Sequence, residues 1–459
     1  VNLSQWILDP IAQHDSVKPH VQLGTSSRTG QTELAHNLDA VAMRVARRWR
    51  SCENKRGTGM LTGRKSLRAI AEFLVVGVCT VGFLLAVGAI CAALLGKDSP
   101  GTRDFVEYWA SGQQLAHHAN PYDPDAILRI EQSVGFPTGH SALMMGNPPS
   151  ALPLVLPLGF LGARGGWLLW SLMLLGCLVV SVRMVWTMNG RPKNQLHFLG
   201  YSFAPAIMCL MGGQVSLLVL LGLVCFFRLH RIRPFLAGVS LWLCLLKPHL
   251  FLPFGVVLLV WAISTRCYKL LAGAAVALGV STAIAFLLDP LAWTHYGQMM
   301  SATRIDRLPI PCLSIALRRI VSPNTIWLQY LPAALGCAWA LAYFRRHRDD
   351  WDWMEHGSLL MLVSVLVAPY TWFTDQAILM PALLRGVYLT RSRSLIAILA
   401  LASAAIEIQN FRGLPVLHSA FYLWTAPAWL AWYLYATKRS DPMNVYDPPL
   451  LADGALTRP

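Results

Sequence analysis

Long apolar runs alternate with short polar breaks over most of this chain. The first run, Ala69 to Leu95, carries one charge, Glu72 near its start. It is long enough to cross a bilayer, for which about 20 apolar residues at roughly 1.5 Å rise suffice. Further runs follow at Trp167 to Val185, Leu196 to Met211, Val215 to Phe227, Pro234 to Leu246, Phe251 to Ile263, Leu270 to Leu288, Ile326 to Phe344, Ser358 to Tyr370, Ala377 to Tyr388, Leu395 to Ile406 and Ala420 to Ala436. Several are shorter than a full crossing; such runs cross with help from flanking residues or sit as broken helices around a cavity. Pro149 to Leu161 offers only about 13 apolar residues against the usual 17 or more, which predicts a re-entrant or non-crossing piece.

Basic residues orient these runs. Arg191 with Lys193, Arg228 to Arg233, Arg266 with Lys269, Arg345 to Arg348, Arg391 with Arg393, and Lys438 with Arg439 all fall at run ends, where Lys and Arg favour the cytoplasmic side. Placing them there makes the intervening runs alternate without conflict. The expected fold is an all-α polytopic membrane protein with about twelve spans, or thirteen if 149–161 crosses, and both termini inside. Residues 1–68 read as a polar and basic cytoplasmic segment, partly disordered and lacking the apolar core of a signal peptide. The transmembrane domain is 69–437, with outer loops at 97–147 and 289–324, and 438–459 is a cytoplasmic tail. Gly212 to Gln214, Lys247 to His249 and Thr371 to Gln376 emerge on that same outer face.

Composition agrees. Hydrophobic residues make up 55% and charged ones 13%, with a mean hydropathy of +0.47, far more apolar sequence than one soluble core would use. The net charge of +15 would suggest nucleic acid in a soluble chain, but here it flanks apolar runs, where it meets anionic lipid instead. The ten cysteines stand singly and mostly within apolar runs, so they read as small buried hydrophobes, neither a zinc site nor a disulfide framework.

Polar chemistry concentrates just after the first run, at Arg103 to Pro124. Phe105, Tyr108, Trp109, Gly112 and Leu115 share one helical stripe opposite Glu107, Gln113 and Gln114, which predicts an amphipathic helix on the membrane interface. Asp104 opens it. With Glu107 three residues on, Asp104 has the form of a capping box, and a catalytic carboxylate is the other reading of the same residue. Asp123, in NPYDP, reads as a turn stabiliser.

RDFVEYWASGQQLAHHANPYDP from Arg103, NPPSALPLVLPLGFL from Asn147, GGQVSLLVLLGLV from Gly212, LKPHLFLPF from Leu246 and APYTWFTDQAILMPAL from Ala368 occur in this order. Together they resemble glycosyltransferase family 87, membrane enzymes of the GT-C fold that take mannose or arabinofuranose from a polyprenyl phosphate. The resemblance covers about Asp104 to Leu383. It implies that Asp104, the early acidic residue after the first span, is the catalytic base. It also implies a lipid-linked sugar donor and a glycolipid or envelope-glycan acceptor. Where family members often carry histidine after the Trp of the last segment, this chain has Phe373, Thr374 and Asp375.

The chemistry of such a transfer sets what else to look for. A base must take the acceptor hydroxyl proton and positive groups must hold the departing phosphate; because phosphate leaves as a stable anion, one carboxylate can suffice. Glu107 is the rival base within the same stretch. Lys247, in an otherwise apolar run, is either a snorkelling lysine or a phosphate ligand facing a cavity. Arg304, Arg307, Arg318 and Arg319 break the positive-inside pattern by lying outside, and Arg suits bidentate phosphate contact. Tyr108, Gln214, His249, Trp372 and Asp375 complete the candidate substrate contacts, Trp372 being equally at home in an interfacial aromatic belt. No DxD string stands where a nucleotide-sugar site would need it, no phosphate-cradling Gly-rich loop precedes a strand and helix, and no His/Cys/Asp cluster suggests a metal. Neither a cofactor nor an obligatory metal is expected, and no nucleic-acid partner. The rival function is a transporter or lipid flippase without bond chemistry, against which the absence of an inverted repeat weighs.

Overall fold

The computed structural model of the chain describes residues 76–438, apart from 78, 85–86, 89–90, 92–99, 304–309, 391 and 413–418. All regular structure among them is helical. The first helices of the described chain beyond residue 100 are α1 (Phe105–Ala116) and α2 (Pro124–Ser133). Next come α3 (Leu152–Gly159), α4 (Ala163–Met188), α5 (Phe198–Tyr201), α6 (Ala204–Gly212), α7 (Ser216–Leu229), α8 (Pro234–Cys244), α9 (Leu252–Ser264) and α10 (Tyr268–Leu288). The remainder is α11 (Ala292–Thr303), α12 (Leu313–Val321), α13 (Leu331–His347), α14 (His356–Leu366), α15 (Met380–Leu389), α16 (Arg393–Phe411) and α17 (Thr425–Lys438).

Helix lengths differ from the simple alternation of spans. Among the described residues, α4, α10 and α16 are the 3 helices long and apolar enough to cross a membrane, and the other apolar helices are shorter. Proline accounts for much of this. It cannot donate into a continuing ladder and is best tolerated in a first turn, where α2, α6, α8, α9, α13 and α15 all carry one. The run Leu196 to Met211 therefore divides at Ser202 and Phe203 into α5 and α6, with Pro205 in the opening turn of α6. The run Ala377 to Tyr388 likewise begins inside a 3-10 turn, Phe373–Leu379, before Pro381 opens α15. At eight residues, α3 reaches about 12 Å, short of a crossing. Outward faces stay apolar: Val276, Val280, Ile284 and Leu287 of α10 are exposed, a surface that lipid would cover.

Glycines set the closest helix contacts. Gly238 of α8 and Gly273 of α10 face each other's helix so closely that a Cβ on either would collide with the backbone carbonyl of Leu270 or Phe235. The same device docks α1 on α3, where a Cβ on Gly112 would meet Val155 O and one on Gly159 would meet Gly112 O. Trp109 Nε1 and Gln113 Nε2 donate to Leu161 O and Gly159 O at 2.9 and 2.8 Å, tying α1 to the end of α3. Gly159→Val is therefore expected to push α1 off α3 and cost about 1–3 kcal/mol, as overpacking does. Thermal unfolding in detergent reads this directly, and a midpoint equal to wild type would rule the contact out as a constraint.

One sequence expectation changes here. The predicted stripe of α1 is buried, but Val106, Ala110 and Ser111 are buried too. The helix is enclosed by protein, with only Glu107, Gln113, Gln114 and its C-terminal end partly accessible, so it does not lie along a membrane surface with one face in lipid. Asp123 does stabilise a turn: its side chain accepts from the backbone N–H of Asp125 and Ala126 at the start of α2.

Candidate active site

Asp104 precedes α1 with helical backbone angles, φ −59° and ψ −22°, and its side chain caps nothing. The capping-box reading fails for that reason: a cap needs an extended backbone to swing its oxygen over the first N–H groups. Asp104 Oδ2 instead accepts from Gln214 Nε2 at 2.9 Å, across 110 residues of sequence. Among the described residues, Oδ1 accepts from none.

Gln214 reaches this point through a left-handed turn. Gly213 ends α6 at φ +81°, where an L side chain is strained, and a Cβ there would lie 2.8 Å from Phe105 Cβ. The N–H groups of Gly213 and Gln214 both close on Cys209 O. Trp170 Nε1 donates to Gly213 O at 2.6 Å while its ring stacks on Tyr108 at 5.1 Å, so α1, α4 and this turn are fastened together. Tyr108 then donates its hydroxyl proton to Gln214 Oε1 at 3.2 Å.

Lys247 lies behind Gln214. It follows the last turns of α8 and is only 8% exposed, in a position that excludes a snorkelling lysine. Its Nζ donates to Asp375 Oδ1 at 2.6 Å, Ser216 Oγ at 3.1 Å and Gln214 Oε1 at 3.3 Å, using all three ammonium protons. Asp375, 0% exposed, takes a second donor from Ser216 Oγ at 2.8 Å, and its Oδ2 accepts from the Trp372 N–H at 2.9 Å. Asp375 is thus the counter-ion of Lys247 and a cap of the Phe373–Leu379 turn, with no face left toward a substrate. Asn147 sits on the same scaffold: its Nδ2 donates to Leu246 O at 2.8 Å and its carbonyl receives the Tyr122 hydroxyl at 3.2 Å.

Four of the five sequence stretches therefore meet in one polar network, through Asp104 and Tyr108, Gln214 and Ser216, Lys247, and Asp375, and the fifth supports it through Asn147, which holds the backbone carbonyl next to Lys247. Ser216 is a contact that sequence reasoning missed, although it stands two residues after Gln214. His249 stacks on Tyr370 with ring centres 3.8 Å apart, and its Nε2 is buried without a hydrogen-bond partner. Trp372 and Tyr370 pack against Ile310, Cys312 and Ile315. Arg318, one turn beyond Ile315 on α12, is buried at 3% exposure, whereas Arg319 is exposed. Neither enters the bonds around Lys247. Arg304 and Arg307 lie outside the described residues. Arg103 stands 5.7 Å over the Trp167 ring, next to Asp104.

The electrostatics favour a base. Burial pushes the Asp104 carboxyl above its ordinary range, opposed by the Gln214 hydrogen bond and the charges of Lys247 and Arg103. Glu107 is half-buried one turn on, and burial together with the Asp104 charge raises it to about 8. At neutral pH Glu107 is accordingly mostly protonated, while at Asp104 the Gln214 hydrogen bond and the charges of Lys247 and Arg103 favour the ionised form against burial. Among the described residues no group of three or more His, Cys, Asp or Glu side chains could hold a metal ion.

Among the described residues, a carboxylate with one uncommitted oxygen, backed by a buried cation in a helical apolar fold, suits a group-transfer enzyme working with one base. Comparison with family models supplies the class. Residues 146–369, just under half of the chain, match the model of glycosyltransferase family 87, and over that stretch the chain is similar to that family. The match takes in Asn147, Gln214, Ser216, Lys247 and His249, begins after Asp104 and ends before Asp375. No curated protein and no solved structure matches the chain.

Proposed function

We propose that the chain is an integral membrane glycosyltransferase. It moves a sugar, most simply mannose, from a polyprenyl phosphate to a lipid-linked or cell-envelope acceptor on the extracytoplasmic side. The observation that carries the reading is Asp104: half-buried, raised by desolvation, held at Oδ2 and uncommitted at Oδ1. In this reading Oδ1 takes the proton of the acceptor hydroxyl as that oxygen attacks the anomeric carbon, while the bond to the phosphate oxygen breaks on the opposite face. One displacement gives inversion. The leaving phosphate needs positive charge. Lys247 supplies little net charge because Asp375 neutralises it, and it can turn toward a ligand only by releasing Gln214, its longest contact. Arginine carries more of that task, with Arg318 the buried candidate among the described residues.

Incubation of purified protein with a panel of donors tests this. Polyprenyl-phosphate mannose or polyprenyl-phosphate arabinofuranose should be consumed to form a new glycolipid, detected by mass spectrometry of the lipid extract. Consumption of a nucleotide-diphosphate sugar in their place would reject the donor class.

A further inference from the structure

We infer that Gln214 is a positioning residue whose amide, locked in one orientation by Tyr108 and Lys247, fixes one oxygen of Asp104 and leaves the other to take the acceptor proton. The inference rests on the reading of Asp104 as base and adds what holds that base in place.

Two donors, the Tyr108 hydroxyl at 3.2 Å and the Lys247 ammonium at 3.3 Å, point at Gln214 Oε1. Turning the amide over would set its NH₂ against both donors and its oxygen against the Asp104 carboxylate, three repulsions replacing three hydrogen bonds. One orientation alone is satisfied, and it aims Nε2 at Asp104 Oδ2. Asp375 and Ser216 hold the other two protons of Lys247 and keep its ammonium beside Gln214 in a site only 8% exposed. The backbone is fixed as well, by the Gly213 turn and its bond from Trp170. The groups facing Asp104 are Arg103, Glu107 and Tyr108 from its own segment and Lys247 from beyond α8, with Glu131 of α2 next to Glu107. Of the side chains around Asp104, Gln214 donates a hydrogen bond to its carboxylate.

A donor on a carboxylate stabilises the ionised form, so deleting it raises the protonation midpoint. A hydrogen bond to a charged group is worth roughly one to two pH units of midpoint. The test titrates the full-length protein, purified in detergent and labelled with ¹³Cγ-aspartate, with the Asp104 resonance assigned by its absence from Asp104→Asn. In Gln214→Leu the midpoint of Asp104 should rise by about one to two units, and in Gln214→Glu, which sets a second carboxylate at the same place, by at least as much. Tyr108→Phe, which removes one of the two locking donors, should give a smaller rise. The acid limb of kcat/KM, measured with polyprenyl-phosphate mannose as donor and a short alkyl mannoside as acceptor, should move upward by the same amounts. A midpoint equal to wild type in a folded Gln214→Leu protein overturns the positioning role. Should Gln214→Leu not fold, Tyr108→Phe decides, and an unshifted midpoint there overturns the lock. Full activity of Asp104→Asn would instead sink the base reading while leaving the measured Gln214 effect standing.

Discussion

Asp104→Asn is expected to lower kcat/KM for transfer by about three orders of magnitude, at the upper end of what one general base contributes. The side chains are nearly isosteric and the amide can still accept from Gln214 Nε2 through its oxygen, so the protein should unfold at a wild-type temperature and bind donor as before. What is lost is a lone pair able to take a proton. Wild-type activity should rise with pH and then level off, because Asp104 works only after losing a proton and burial has moved that loss upward from its ordinary value. The Asn variant should show a residual rate without that rise. Radiolabel transfer from a polyprenyl-phosphate sugar measures both, and a variant within tenfold of wild type would show that Asp104 is not the base.

Lys247→Met should be the most destabilising single change in the site. It leaves Asp375 charged, fully buried and stripped of its closest partner, a loss of about 3–5 kcal/mol. Asp375→Leu has the mirror defect, with Lys247 keeping its charge in a site that is only 8% exposed. The double variant Lys247→Met with Asp375→Leu removes both charges and should recover most of the lost stability, since replacing a buried pair with apolar side chains is often neutral. Activity should not recover with it, because Gln214 has lost one of the donors that hold its amide. Thermal unfolding of the four proteins forms a double-mutant cycle. Additive losses, with no recovery in the double variant, would mean that the pair is not coupled.

A good part of this was open to reading along the chain. The apolar runs appear as helices because hydrophobic patterning is a local property, and Asp123 capped its turn because the capping geometry spans only three residues. The five stretches that mark the family could be ordered by inspection, and their polar residues turn out to be the ones brought together. Helix length was harder, since prolines such as Pro205 and Pro381 restart helices within what reads as one apolar run. Asp104 offered two local readings, cap or base, and its helical backbone angles, which no local pattern dictates, exclude the first.

Sequence alone determined the all-helical class of fold and the places where polar groups interrupt an apolar chain, because both depend on residue type and near neighbours; Asp104 was singled out as a base by the family resemblance. Tertiary structure decided the partners. Lys247 meets Asp375 across 128 residues, and that contact turned a candidate phosphate ligand and a candidate substrate contact into one buried ion pair. It likewise placed Ser216 between them and turned the Gln214 amide toward Asp104. The reason is physical: a buried charge must find an opposite charge or a donor wherever the packing brings one, and packing joins helices whose separation along the chain carries no trace of the meeting.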